Sequence, residues 1–455
     1  MIFSLDEINQ VLGLINWNNA KKNELRFNNI SIDSRSISAG NLFIALNGKN
    51  FDGHDFIHEV IDKGIKAIVI KEGRENLVPD KCPFWIVSEP LEALQKIALY
   101  KRKKLNIPVV AITGSVGKTT TKEMLGEILK GLGKVNISMA NNNNEIGMAL
   151  TILNSDETHK IIVLEMGMRG LGQIENLSKF SEPNIAVITN IGSSHIGLLG
   201  SRENIAIAKC EIANHLNPKG MVIIPEGDHL LEKTLKKKWS GRIIRVKLSN
   251  TEINNQRTLD DYILGSYDFE TNMIKVENKI FRISLNGKHN ALNFLFSYAV
   301  SKELGIAFKK LNSFKFRDIN GRNKILRTKK LTIFDETYNA SPESVKACIE
   351  VLIKQKGDHF LVFGSMKELG VMSIELHQET LDYIYSSNIK KCIFLHDFDE
   401  DKLLKKFEFL KKKICFIKDR DSISKRLNKW TSRGDFVLIK GSRYWKLEEI
   451  IPLID

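Results

Sequence analysis

The sequence predicts an α/β fold in three domains: a small mixed α/β unit, a central domain with a mostly parallel sheet, and a C-terminal Rossmann-like α/β domain. Three observations carry this expectation. At 455 residues the chain is too long for one core, given about 100–200 residues per domain. From Val109 onward, β-branched apolar runs of strand length alternate with segments of helical spacing, the pattern of parallel strands joined by crossover helices. A second such series opens near Gly321.

The elements follow in order. Residues 1–86 hold short apolar stretches broken by Gly and Asn, and Ile30–Arg35 and Asn41–Leu46 alternate as half-buried strands do. Leu91–Tyr100 has helical spacing and leads through Pro108 into the strand-like Val109–Thr113, so a new domain, 87–320, is expected there. Its further strands are expected at Ile161–Leu164, Ile185–Thr189 and Met221–Ile224. The polar stretch 247–280, rich in turn signals, predicts antiparallel strands before a helix starting near His289. Residues 321–455 form the third domain, with strands expected at Leu331–Phe334, Phe360–Phe363, Cys392–Leu395 and Phe436–Ile439.

Composition narrows the class. With 42% hydrophobic and 27% charged residues and nine prolines, the chain reads as folded and soluble. Met1–Glu7 lacks the pattern of a secretory leader, and no run reaches about 18 apolar residues, so a cytoplasmic protein without membrane insertion is expected. The five cysteines are scattered and never form CxxC, which argues for reduced thiols rather than disulfides or zinc. A net charge of +14 raises the question of nucleic acid, but no aromatic residues interleave with Lys101–Lys104, Lys236–Lys238 or Lys411–Lys413. Those runs read as solvated helix faces, and no nucleic-acid partner is expected.

The strongest local signal is Thr113-Gly-Ser-Val-Gly-Lys-Thr-Thr120, which follows a strand and precedes a helix. In this context the backbone N–H groups of Gly114, Ser115, Val116, Gly117 and the helix start converge on phosphate oxygens. Lys118 supplies a positive charge, and Thr119, followed by Thr120, offers a hydroxyl to Mg²⁺. The spacing is the narrower TGxxGKT rather than GxxxxGK[ST]. By itself the loop indicates a nucleoside triphosphate and no particular chemistry.

The loop is joined by Asn141–Gly147, Glu165–Gly170, Thr189–His195, Ala208–Glu211, His289–Asn293, Gly321-Arg322, Asp335–Pro342, Met366–Gly370 and Lys440–Arg443. In this order the motifs resemble the Mur ligase superfamily over essentially the whole chain, and within it the branch that adds D-alanyl-D-alanine to UDP-N-acetylmuramoyl-tripeptide. The resemblance implies ATP and Mg²⁺, with Thr119 holding one metal and Glu165, His195 and a carbamylated Lys209 a second. It implies Lys118, Lys209, His195 and Arg322 as catalytic residues, Arg322 reaching the γ-phosphate from the third domain. Asn290 and Asn293 are then expected near adenine, Asp335 near ribose, Ser34 and Arg35 on the UDP-sugar, and Asn339 on substrate. Taken singly, Glu165 also reads as a helix cap, His195 as structural, Lys209 as a surface lysine, one of the Asn290–Asn293 pair as an N-cap and Arg322 as a hinge residue. The sequence departs from the family's usual Pro near Ala149, Asp near Ser365 and acidic residue near Gly197.

The implied reaction passes through an acyl phosphate, and the implied protein is a monomer whose third domain closes over the second. Competing readings are a sister ligase that adds one amino acid or extends folate, a nucleic-acid-stimulated ATPase, and a binding scaffold. The first-domain pattern argues against folate, and Asp335–Pro342 with Met366–Gly370 against the diamino-acid-adding type.

Overall fold

A computed structural model describes residues 3–16, 25–48, 50–139, 142–249, 261–309, 311–316, 321–398 and 408–454. Asn141 of the motifs, residues 250–260 of the polar stretch and the expected boundary at 320 lie outside them. The architecture is α/β, in three units that follow one another along the chain.

The first unit opens with a short antiparallel pair, β1 (Phe3–Ser4) and β2 (Arg26–Phe27), followed by β3 (Ile30–Ser31), β4 (Leu42–Ile44), β5 (Ala67–Lys71) and β6 (Phe84–Val87). The last four make an all-parallel sheet in chain order. The expected alternation is therefore corrected. Leu42, Phe43 and Ile44 are all buried, because side chains on both faces of this parallel sheet pack into cores. Trp85 ties the unit together, its Nε1 donating to Asn9 Oδ1 at 3.1 Å and Gly13 O at 3.0 Å while its ring meets Phe27 edge-on. Trp85→Ala should cost about 3–5 kcal/mol, read as a fall in denaturation midpoint.

The central unit carries β7 (Val109–Thr113), β8 (Lys134–Ile137), β9 (His159–Glu165), β10 (Ile185–Ile188), β11 (Met221–Pro225), β12 (Arg242–Ser249), β13 (Tyr262–Asp268), β14 (Met273–Val276), β15 (Lys279–Ile283) and β16 (Leu311–Phe314). Their order is β16-β15-β14-β13-β12-β11-β10-β7-β9-β8. The expected antiparallel strands are present as β13-β14-β15, although β13 itself joins β12 in parallel. The reversal comes from the tight turn after β13, where Asp268 accepts from Glu270 N and Thr271 Oγ1. β9 and β10, successive in the chain, flank β7 on opposite sides, so the loops after β7 and β10 meet at the switch point where parallel sheets place ligands.

The third unit has β17 (Lys324–Arg327), β18 (Thr332–Glu336), β19 (His359–Gly364), β20 (Lys391–Leu395), β21 (Ile414–Ile417) and β22 (Phe436–Lys440), in the order β17-β18-β22-β19-β20-β21. Only β17 runs antiparallel. The expected Rossmann-like domain is thus a parallel sheet with one reversed edge strand. Among the described residues no helix is long and apolar enough to cross a membrane.

Candidate active site

A cleft of about 790 Å³ lies where the loops after β7, β9 and β10 face the third unit. The phosphate loop forms its floor. The helix Lys118–Leu129 starts at Gly117, which has φ +85° and no side-chain cap, so its first N–H groups remain available to an anion. Glycine is required at Gly114, where φ is +148° and a Cβ would lie 1.8 Å from Thr189 Oγ1. That hydroxyl donates to Val116 O at 2.6 Å, while Asn190 accepts from Val116 N and donates back to Val116 O. Ser115 Oγ accepts from Gly192 N at 2.8 Å. The loop after β10 is therefore a strap on the phosphate loop.

Lys118 donates to Gly114 O at 2.7 Å. Burial, opposed by Glu165 and reinforced by Arg322, pulls its pKa below the usual lysine range. Glu165 ends β9 and is 2% exposed. Its Oε1 accepts from Asn143 Nδ2 at 3.1 Å, and its Oε2 lies 3.5 Å from Lys122 Nζ with no hydrogen-bond partner. Burial works against ionisation, but Lys122, Lys118, Arg322 and the Asn143 bond outweigh it and hold this carboxyl below the usual range.

His195 has φ +64°, left-handed for a residue with a Cβ. Its Nδ1 lies 2.5 Å from Glu368 Oε2. Burial, offset by Glu368, lowers its pKa. Glu368 is left-handed too, at φ +63°, and its carbonyl accepts from Gly197 N at 2.9 Å. Gly197 sits against Gly370, where a Cβ would come within 2.3 Å of the Gly370 nitrogen, so the two loops close backbone to backbone.

Lys209, near the end of the helix Arg202–Cys210, is 1% exposed and lines the cleft. Burial and then the Lys118 charge drive its pKa well below the lysine value, and no carboxylate among the described residues balances it. Both effects favour the neutral amine over the ammonium, and the neutral amine is the form that reacts with carbon dioxide.

Asn290 and Asn293 lie inside the helix Lys288–Glu303, whose N-cap is Gly287, so neither is a cap. Asn290 Nδ2 donates to Asn286 O at 2.7 Å and, across the domain boundary, to Asn323 Oδ1 at 2.8 Å, leaving Oδ1 buried without a partner. Asn293 lies against Gly117, 2.6 Å from the position of its missing Cβ. From the third unit, Arg322 stacks over the Tyr338 ring at 4.0 Å, and Asn339 also lines the cleft, its carbonyl accepting from Lys440 Nζ at 3.0 Å.

Lys118, Thr120, Glu165, His195, Lys209, Asn290, Asn293, Arg322 and Asn339 therefore share one cleft with the backbone of Gly114–Gly117. Other expected residues stand apart from it. Thr119 is buried at the helix start, and Asp335 turns back to accept from Thr337 N and Oγ1. Ser34 and Arg35 lie on the first unit, where the exposed Arg35 guanidinium forks onto Asp33. Sequence reasoning missed Lys122, Asn190, Glu343 and Glu368 as individual contributors. Asn190 and Glu368 stood inside quoted motifs, but a helix-borne lysine such as Lys122 gives no sign of its burial.

Among the described residues no three His, Cys, Asp or Glu side chains converge as a ready-made metal cage. The set still fits Mg²⁺, which keeps waters and takes few protein oxygens: Glu165 Oε2 is a buried carboxylate oxygen without a hydrogen bond. A cationic Lys209 would oppose the ion, whereas a carbamylated, anionic one would assist it.

Comparison with known proteins agrees over most of the chain. The Mur ligase family catalytic domain matches residues 26–119, the Mur ligase middle domain 112–301, and the Mur ligase glutamate ligase domain 321–443. A UDP-N-acetylmuramoyl-tripeptide–D-alanyl-D-alanine ligase of Synechocystis is 38% identical over 78% of this chain and 76% of its own. That of Bacillus subtilis is 34% identical over 93% of this chain and 92% of its own. The crystal structure of MurF ligase from Thermotoga maritima in complex with ADP has a TM-score of 0.79 at 30% identity, covering 93% of this chain and 96% of that one.

Proposed function

The chain belongs to the Mur ligase family, and on that premise we propose that the interdomain cleft is where its amide bond is made. The protein is an ATP-dependent ligase that joins UDP-N-acetylmuramoyl-tripeptide to D-alanyl-D-alanine in peptidoglycan precursor synthesis. The observation that carries this reading is its identity, over nearly the full length, to relatives named for that reaction. We place its domain boundaries near residues 86 and 320, and take it to act in the cytoplasm as a monomer.

The chemical difficulty is that a peptide carboxylate must attack the γ-phosphate of ATP, anion against anion. The free N–H groups at the start of Lys118–Leu129 and the Lys118 ammonium take up phosphate charge, with Lys118 exchanging Gly114 O for a phosphate oxygen. Arg322, entering from the third domain, meets the charge that develops in transfer. Mg²⁺, when bound, neutralises phosphate and carboxylate charge. The residues to hold it are Thr119, Glu165, His195 and Lys209, the last as a carbamate. The burial of Lys209 and the nearby Lys118 charge, which both disfavour an ammonium there, support that modification.

The products of the first step are ADP and an acyl phosphate. The free amine of D-alanyl-D-alanine then attacks the acyl carbon, and phosphate leaves as the amide forms. Asn290 and Asn293 are assigned to adenine, Asp335 to ribose, Ser34 and Arg35 to the UDP moiety, and Asn339 to substrate. The contacts of Glu368 and Asn323 with the central domain support closure that keeps water from the acyl phosphate.

The test is phosphate release from Mg-ATP and UDP-N-acetylmuramoyl-tripeptide, with and without D-alanyl-D-alanine, followed by product mass. Release that needs the dipeptide and yields the pentapeptide is the expected result. Phosphate release indifferent to the dipeptide would reduce the protein to an ATPase.

A further inference from the structure

We propose that Glu343 is a positioning residue that couples docking of the third domain to the shape of the phosphate loop. The inference rests on the ligase reading of the cleft. Glu343 is the second residue of the helix Pro342–Leu352, whose N-cap, Ser341, is bonded within its own turn. The Glu343 side chain instead leaves its domain. Its Oε1 accepts from Ser193 N at 2.8 Å and from Ser193 Oγ at 2.9 Å, 150 residues away in sequence.

Ser193 belongs to the strap after β10, and its neighbours Asn190 and Gly192 bond the phosphate loop. Gly192 N donates to Ser115 Oγ at 2.8 Å, Ser115 N donates to Asn190 O at 3.2 Å, and the Asn190 side chain brackets Val116. Three successive layers, Glu343, the strap and the loop, are thus joined by hydrogen bonds. Nothing fits between them: a Cβ on Gly192 would lie 2.9 Å from Glu343 Oε1 and 3.2 Å from Ser115 Cβ.

Glu343 lines the same cleft as Lys118. A carboxylate beside a triphosphate site is electrostatically unfavourable, so what it contributes there is its acceptor oxygen, not its charge. When the third domain swings away, Ser193 loses both bonds and the strap is anchored from one side only. The loop then takes its reactive shape only while the third domain, which brings Arg322, is docked. ATP without a docked third domain would bind but not react.

Three variants test this: Glu343→Gln keeps the acceptor oxygen, Glu343→Asp draws it back by one methylene, and Glu343→Ala removes it. The readouts are kcat, KM for ATP, the Kd for ADP, and the docked fraction from energy transfer between dyes on exposed sites of the central and third domains. Glu343→Ala and Glu343→Asp should lose about tenfold to a hundredfold in kcat and part of the docked fraction, with KM for ATP and Kd for ADP within about threefold. Glu343→Gln should stay within about threefold of the wild type on every readout. Wild-type kcat and docking in Glu343→Ala would overturn the proposal, as would Glu343→Gln falling as far as Ala. Absence of dipeptide-dependent turnover in the wild type would instead count against the ligase reading, and the docked fraction would still decide the role of Glu343.

Discussion

Lys209→Met is expected to stop ligation, with kcat down by at least about a thousandfold, while the protein folds as before and melts at the same temperature or slightly higher. The two halves of that result have separate causes. Lys209 is 1% exposed, and its amine meets the Lys118 charge with no carboxylate to balance it. Holding an ammonium there is unfavourable, and methionine fills similar space without a polar group to desolvate. Stability should not suffer. Activity should, because the carbamate that we assign to this position cannot form on a thioether. Phosphate release and a melting curve on the same sample check both halves. Near-normal turnover would sink the carbamate, and a second measurement sharpens the point: wild-type activity should fall in carbon-dioxide-depleted buffer and return with bicarbonate, whereas Lys209→Met should respond to neither.

Gly114→Ala is expected to have the second-largest effect, a loss of nucleotide affinity of about a hundredfold with about 1–3 kcal/mol of stability. The added Cβ would stand 1.8 Å from Thr189 Oγ1, at a φ of +148° that side chains rarely adopt. Thr189 must move, and its bond to Val116 O at 2.6 Å is what sets the far side of the phosphate loop. ADP binding measured by calorimetry should show the loss. The double variant Gly114→Ala/Thr189→Ala should recover part of the affinity, since it removes the clashing oxygen but neither the strained backbone nor the lost bond. No recovery would show that the backbone conformation, not the clash, dominates.

Much of the fold was legible because local pattern and tertiary role coincide. Val109–Thr113, Phe360–Phe363 and Phe436–Ile439 are apolar runs buried on both faces of parallel sheets, so their composition alone announces a central strand. The helix at His289 was equally plain, although it is buried on nearly every side and has no amphipathic stripe. The first domain misled at Leu42–Ile44, where a three-residue strand is too short to separate alternation from full burial. The direction of β13 was not legible either, since strand polarity depends on where the chain re-enters the sheet and not on the strand's own residues.

The sequence by itself determined the chemistry available to this protein. A glycine-rich loop between strand and helix, with Lys118, is an anion site wherever it folds, because its donors are backbone groups of adjacent residues. What only the tertiary structure decided is which distant residues share that site. Glu165 is held low by Lys122, whose burial comes from packing, and Lys209 is pulled well below the usual lysine range because of where its helix lies. Glu343 reaches Ser193 and Glu368 reaches His195 across a domain boundary, over sequence separations of 150 residues or more. Such contacts leave no trace in spacing or composition: desolvation and Coulomb interaction depend on distance in space, and that distance is set only when the domains dock.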